Sequence, residues 1–76
     1  MTTSTLSQLA SGARGTILKI EATNDMHDRL AALGFRTGAS VGVLYSALMG
    51  DPRTYIVCGS QVSLRKSEAD LILVNH

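Results

Sequence analysis

The tightest constraint on this chain is a change of hydrophobic period within residues 29–41, Arg-Leu-Ala-Ala-Leu-Gly-Phe-Arg-Thr-Gly-Ala-Ser-Val. Met26, Leu30 and Leu33 are spaced i, i+4, i+7 as on one helix face, and Val41, Val43 and Tyr45 alternate as in a strand with one buried side. A helix must therefore stop and a strand begin with almost no linker between them. Gly34 stands at the stop, because a residue without Cβ takes the left-handed conformation that closes a last helical turn. With Leu33 as C-cap, Gly34 is C′ and Phe35 is C″, which folds the Phe35 ring back over Leu30 in the Schellman arrangement. Gly38 supplies a second permissive backbone position before the strand.

The 76 residues suffice for one domain, residues 1–76, with a thin core, since a chain of this size buries only about 60–65% of the surface its unfolded form exposes. Although 45% of the residues are hydrophobic, no apolar run approaches the ~18 residues of a membrane span. Residues 1–11 carry neither positive charge nor an apolar core, so they do not read as a secretory signal, and a cytoplasmic location is expected. A single cysteine, Cys58, excludes an internally disulfide-stapled module. The formal net charge of +1 offers no strong footprint for nucleic acid or anionic lipid.

Thr5 and Gln8 have capping-box spacing, which predicts a short helix over residues 6–10. A first strand is expected over 16–21, where Ile17, Leu18 and Ile20 do not alternate cleanly and so suggest a bulge. Asn24 or Asp25 is the expected N-cap of the central helix, with Asp25 able to pair with Arg29 one turn on. A strand over 40–46 contains Gly42, which marks a bend or a close backbone approach. Residues 46–53 read as a loop on their Gly-Asp-Pro content. A strand over 53–58, a Gly59-Ser60 turn and a returning strand over 61–65 complete a hairpin with Val62 and Leu64 inward. One capped turn over 67–70 and an apolar strand over 71–74 end the chain. The fold class expected is mainly β: a small five-stranded SH3-like barrel with one α-helix between strands 1 and 2 and a short N-terminal helix. Its last strand, 71–74, is expected at an open edge where a second copy can pair, giving a weak homodimer.

Four motifs in order carry a family resemblance: Leu6-x-x-Leu9-x-x-Gly12-x-x-Gly15-x-Ile17-x-x-Ile20, Arg29-Leu30-x-x-Leu33-Gly34-Phe35-x-x-Gly38-x-x-Val41-x-Val43, Gly50-Asp51-Pro52-x-x-Tyr55-x-Val57-x-Gly59, and Val62-Ser63-Leu64-Arg65-Lys66-x-Glu68-Ala69-x-x-Ile72-x-Val74. Together they resemble the FeoA family of bacterial ferrous-iron-transport accessory proteins over nearly the whole chain. The resemblance implies an SH3-like fold and, as partner, the membrane iron permease FeoB, which carries a GTPase domain. Related modules form the C-terminal domain of metal-dependent repressors, so a metal-responsive regulatory domain binding Fe²⁺ or Mn²⁺ is the alternative. No DNA-binding helix pair precedes the motifs, which favours the transporter role.

No cofactor is expected. The seven glycines are too dispersed for a phosphate cradle, and none precedes Lys-Ser/Thr, so the chain does not read as a GTPase itself. Asp25, His27, Asp28 and Cys58 are weak metal-ligand candidates without a recognised pair spacing; Asp25 and Asp28 read first as helix-start charges, and His76 as a mobile terminal residue. Cys58 has no base nearby in sequence, and no set of nucleophile, base and orienter can be assembled, so no enzyme is expected. Arg14, Arg36, Arg53, Arg65 and Lys66 read as a solvated face rather than a nucleic-acid site. Phe35, Tyr45 and Tyr55 are too few aromatics, with at least two assigned to the core, to line a groove for proline-rich peptides. The partner-binding candidates are Leu48, Met49, Asp51 and Pro52, because a surface loop bearing two adjacent large apolar side chains presents at least one of them outward.

Overall fold

The helix stop predicted at Gly34 organises the computed structural model, which describes residues 2–46 and 51–76. Helix α1 spans Asn24–Ala32 and has Leu33 as its C-cap. Gly34 follows at φ +107°, its N–H donating to Ala31 O at 3.0 Å, and the Phe35 N–H donates to Leu30 O at 3.0 Å. That pair of bonds is the Schellman closure, and it leaves Phe35 and Leu30 fully buried. The start of α1 differs from expectation. Thr23 is the N-cap, because Asn24 takes φ +46°, a left-handed conformation rather than the extended one a cap needs. Arg29 reaches Glu68 on the second helix instead of Asp25 on its own.

Six strands, not five, form one antiparallel sheet in the order β1-β6-β2-β3-β4-β5: β1 is Thr3–Thr5, β2 Arg14–Ile20, β3 Ser40–Ser46, β4 Arg53–Val57, β5 Ser60–Leu64 and β6 Ile72–Asn75. The added strand is β1, which pairs with β6 and continues through a Thr2–His76 pair whose N–H···O distances are 2.7 and 2.8 Å. Two expectations fall with it. The C-terminal strand lies between β1 and β2 rather than at an edge, and His76 is held in the ladder rather than mobile, its Nε2 also 3.1 Å from Ser4 Oγ. The short N-terminal helix is a 3₁₀ turn, Leu6–Gln8, entered with the Thr5 N–H donating to Gln8 Oε1 at 3.2 Å.

The β4–β5 turn is Cys58-Gly59, one residue earlier than predicted. Both residues have positive φ, +50° and +77°, the combination a type I′ turn needs to match the twist of its strands. The second helix, α2, is Lys66–Ala69 with Arg65 as N-cap, so Ser67 is not its cap. Carboxylates replace the hydroxyl: Glu68 Oε1 accepts the Arg65 N–H at 3.0 Å, and Asp51 Oδ1 accepts the Lys66 N–H at 2.8 Å from across the fold. Every strand except β1 contributes side chains to one core with Leu6, Leu9, Leu30, Phe35 and Ala69.

Two β-bulges re-aim side chains. The pairing of β2 with β6 shifts between Ile17 and Lys19, as the irregular alternation suggested, and leaves Leu18 exposed. The pairing of β3 with β4 shifts between Val43 and Tyr45, so Leu44 and Tyr45 together oppose Thr54. This second bulge overturns the expected alternation: Val41 and Val43 are buried, but Tyr45 is turned outward and is 58% exposed.

Candidate functional site

The extra residue in β3 turns Tyr45 out beside Leu44 and so enlarges an apolar outer surface. Leu44 and Tyr45 both lie outside the core, and Ile56 on β4 is half-buried beside them. Arg14, Gly42 and Ile56 are aligned across β2, β3 and β4. Gly42 lies low between its neighbours, for a Cβ there would stand 3.2 Å from Ile56 Cγ2 and 3.6 Å from Arg14 Cγ, which is the close approach its place in a strand predicted. The result is an open depression of about 210 Å³ lined by Arg14, Gly42, Leu44 and Ile56 among others. It is smaller than the roughly 300–1,000 Å³ of a cofactor or drug-sized site, and its dimensions suit a single side chain of a partner. Sequence reasoning missed all three: Leu44 and Ile56 lie outward by plain alternation with the buried Val43 and Tyr55, whereas nothing in an alternating run marks the bulge that turns Tyr45 out.

Leu48 and Met49 lie outside the described residues. Asp51 and Pro52, joined by a cis peptide bond, are exposed at the start of β4. The Asp51 carboxylate also works within the fold, tying this segment to the first turn of α2. The structure thus brings Asp51 and Pro52 to the end of the β3–β4 hairpin, whose other strand presents Leu44 and Tyr45.

Next to this end lies a clasp between the N-terminal turn and β4. The Arg53 guanidinium donates through Nη1 to Ser7 O at 2.8 Å and through Nη2 to Leu9 O, and it sits 5.7 Å from the centre of the Tyr55 ring. Arg53 is therefore not part of a solvated basic face. Tyr55 is fully buried, and its hydroxyl has no hydrogen-bond partner among the described residues. Burial pushes its pKa up, with the Arg53 charge opposing. Ser7 Oγ donates to Asp70 Oδ1, and Lys66 Nζ lies 3.2 Å from Asp70 Oδ2; these two contacts, the Ser7 bond foremost, hold the Asp70 carboxyl below its usual range. Glu68 is also lowered, mainly by the Arg65 N–H, against a burial penalty and with further help from Arg29.

The metal-ligand candidates are not brought together. Asp25, His27 and Asp28 are exposed on α1, with His27 Nδ1 3.9 Å from Asp28 Oδ1. Cys58 lies at the opposite end of that helix, its Sγ 3.6 Å from Gly34 O. At 1.5 Å per residue, the helix separates it from Asp25 by about 13 Å. Among the described residues no three His, Cys, Asp or Glu side chains are grouped closely enough to hold an ion. No helix among them is long and apolar enough to cross a membrane.

A family model for the FeoA domain matches residues 4–76. Among solved structures, a FeoA-like protein from Clostridium acetobutylicum is 29% identical, with 99% of this chain and 88% of that one covered at a TM-score of 0.89. FeoA of Stenotrophomonas maltophilia, complexed with zinc, is 28% identical with coverage of 93% and 88% and a TM-score of 0.83. It is described as a prokaryotic SH3 domain protein, and the mainly β, SH3-like architecture expected from the sequence is found here with six strands. A manganese-dependent transcriptional repressor, 22% identical, shares the fold at a TM-score of 0.84, with 95% of this chain but only 40% of the repressor covered. No curated protein matches the chain significantly.

Proposed function

Because the chain belongs to the FeoA domain family, whose model matches residues 4–76, we propose that it is a cytoplasmic accessory protein of a bacterial ferrous iron transporter that binds and modulates a FeoB-type permease carrying a GTPase domain. The family match is the observation that carries this reading. FeoA is a family of small accessory SH3-like domains rather than a known enzyme family, and the Stenotrophomonas protein is put forward as a ferrous iron transport activating factor. The contact surface is the end of the β3–β4 hairpin: Leu44 and Tyr45 with Ile56 on the sheet, Leu48 and Met49 in the connection, and Asp51 and Pro52 where it rejoins β4. Large apolar side chains flanking a shallow depression and bordered by Arg14 have the composition of a binding hot spot, where truncating an anchor costs about 2 kcal/mol or more.

The test is binding of the purified chain to the cytosolic GTPase domain of the permease, followed by calorimetry, with GTP hydrolysis measured alongside. Tyr45→Ala and the pair Leu48→Ala with Met49→Ala are expected to weaken binding at least tenfold while leaving the melting temperature within about 3 °C. Undiminished binding by both variants would place the contact elsewhere, and no binding by the parent chain would remove the reading.

The repressor's shared fold and the zinc in the Stenotrophomonas crystal favour a second reading, a metal-responsive regulatory domain. Anaerobic titration with Fe²⁺ separates the two, since micromolar saturable binding supports a sensor.

A further inference from the structure

The sheet has two edges, and they are treated differently. At β1, the Thr2–His76 pair exchanges both backbone bonds, so by alternation Ser4 turns toward β6, and Thr3 and Thr5 turn outward. Thr5 is already covered: its N–H donates to Gln8 Oε1, and its carbonyl accepts the Ser4 hydroxyl at 3.3 Å. At β5 no such cover is found among the described residues. Val43 directs its N–H to Ala13 O and accepts from the Gly12 N–H on the β2 side, so Tyr55, opposite Val43, directs its own groups to Val62 on β5. Gln61 and Ser63, both exposed, therefore point two N–H and two C=O groups away from the sheet. The strand Ser-Gln-Val-Ser-Leu carries no charge and no proline, and its pairing with β4 contains no bulge, so three common blocks to edge pairing are missing from it.

We propose that β5 is a docking edge for a second copy of this chain, paired antiparallel about a two-fold axis at Val62. In that register Gln61 of each copy lies opposite Ser63 of the other, in hydrogen-bonded pairs, and all four outward groups of each copy are used. Val62 meets Val62 of the second copy on the inner side, continuing the apolar face. Arg65 falls opposite Gly59 of the other copy, so the two Arg65 side chains stand about 20 Å apart along the strands, well beyond the roughly 8 Å screening length at physiological salt. Self-pairing therefore meets no charge penalty. A five-residue strand covers far less than the ~800 Å² per partner of a standard interface, which makes the dimer weak, with a dissociation constant of about 0.1–1 mM.

Sedimentation equilibrium from about 0.05 to 2 mM protein tests the edge, with variants that read the register. Gln61→Lys with Ser63→Glu places opposite charges in both intermolecular pairs and is expected to tighten the dimer several-fold; Gln61→Glu with Ser63→Glu places like charges there and is expected to weaken it about tenfold. Hydrogen exchange on the wild-type chain is the second measurement and requires no folded variant: the Gln61 and Ser63 amides are expected to gain protection as concentration rises. A monomer throughout the range overturns the proposal, as does a dimer indifferent to both charge patterns or one whose Gln61 and Ser63 amides stay unprotected. Protection that appears only when a foreign strand-forming peptide is added also overturns it, by giving the edge to a different occupant.

Discussion

Replacing Gly34 tests the turn on which the helix-to-strand switch depends. At φ +107° a residue with a Cβ is strained, and the left-handed region costs an L-residue about 1–2 kcal/mol relative to glycine. Space is not the limiting factor for alanine, because a Cβ at Gly34 would rest 3.5 Å from Cys58 Cβ and Sγ and from Val57 Cγ1, ordinary van der Waals distances. Gly34→Ala therefore isolates the backbone term at about 1–2 kcal/mol, whereas Gly34→Val adds branching that presses its γ-methyls toward Cys58 and should exceed it. Gly34→Asn should be milder than Gly34→Val, since asparagine tolerates positive φ best among side-chain-bearing residues. For a domain of this size each 1 kcal/mol moves the melting temperature by about 4–8 °C, so Gly34→Ala should lower it by roughly 4–16 °C. Thermal and urea unfolding monitored by circular dichroism measure it. Equal melting temperatures for the parent and Gly34→Val would refute the cap assignment, and equal losses for asparagine and valine would refute the conformational explanation.

Arg53→Met keeps the aliphatic stem but removes the guanidinium from the Ser7 and Leu9 carbonyls; a loss of about 1–3 kcal/mol is expected, with faster amide exchange in the N-terminal turn before any global loosening. Glu68 has its folded-state pKa depressed below the ordinary 4.5, so its contribution is present above that value and is lost as pH falls through and below it. Stability should therefore decline from about pH 5 toward pH 3, by under about 1 kcal/mol from this partly solvated group, and Glu68→Gln should flatten that slope in a pH series of melting temperatures.

Much of the fold was legible because it depends on local rules. The period change around Gly34, the exact extent of β3 and the bulge after Ile17 all follow from residue type and spacing, and the Schellman bonds formed where Leu33, Gly34 and Phe35 placed them. The turn lies one residue earlier than Gly59-Ser60 because a type I′ turn asks for positive φ at two successive residues, and Cys58 carries no sign in the sequence that it will accept it. Of the partner-binding candidates, Asp51 and Pro52 are exposed at the hairpin end; Leu44 and Ile56 lie outward by alternation with Val43 and Tyr55, and Tyr45 alone depends on the β3 bulge. The sequence by itself determined where helix gives way to strand and which residues cap that change, because those outcomes depend on neighbours three or four positions away. Only the tertiary structure decided that Thr3–Thr5 becomes a sixth strand, that Asp51 caps α2, that Arg53 turns inward and that Tyr45 turns outward, because each of those depends on a partner brought near from a distant part of the chain.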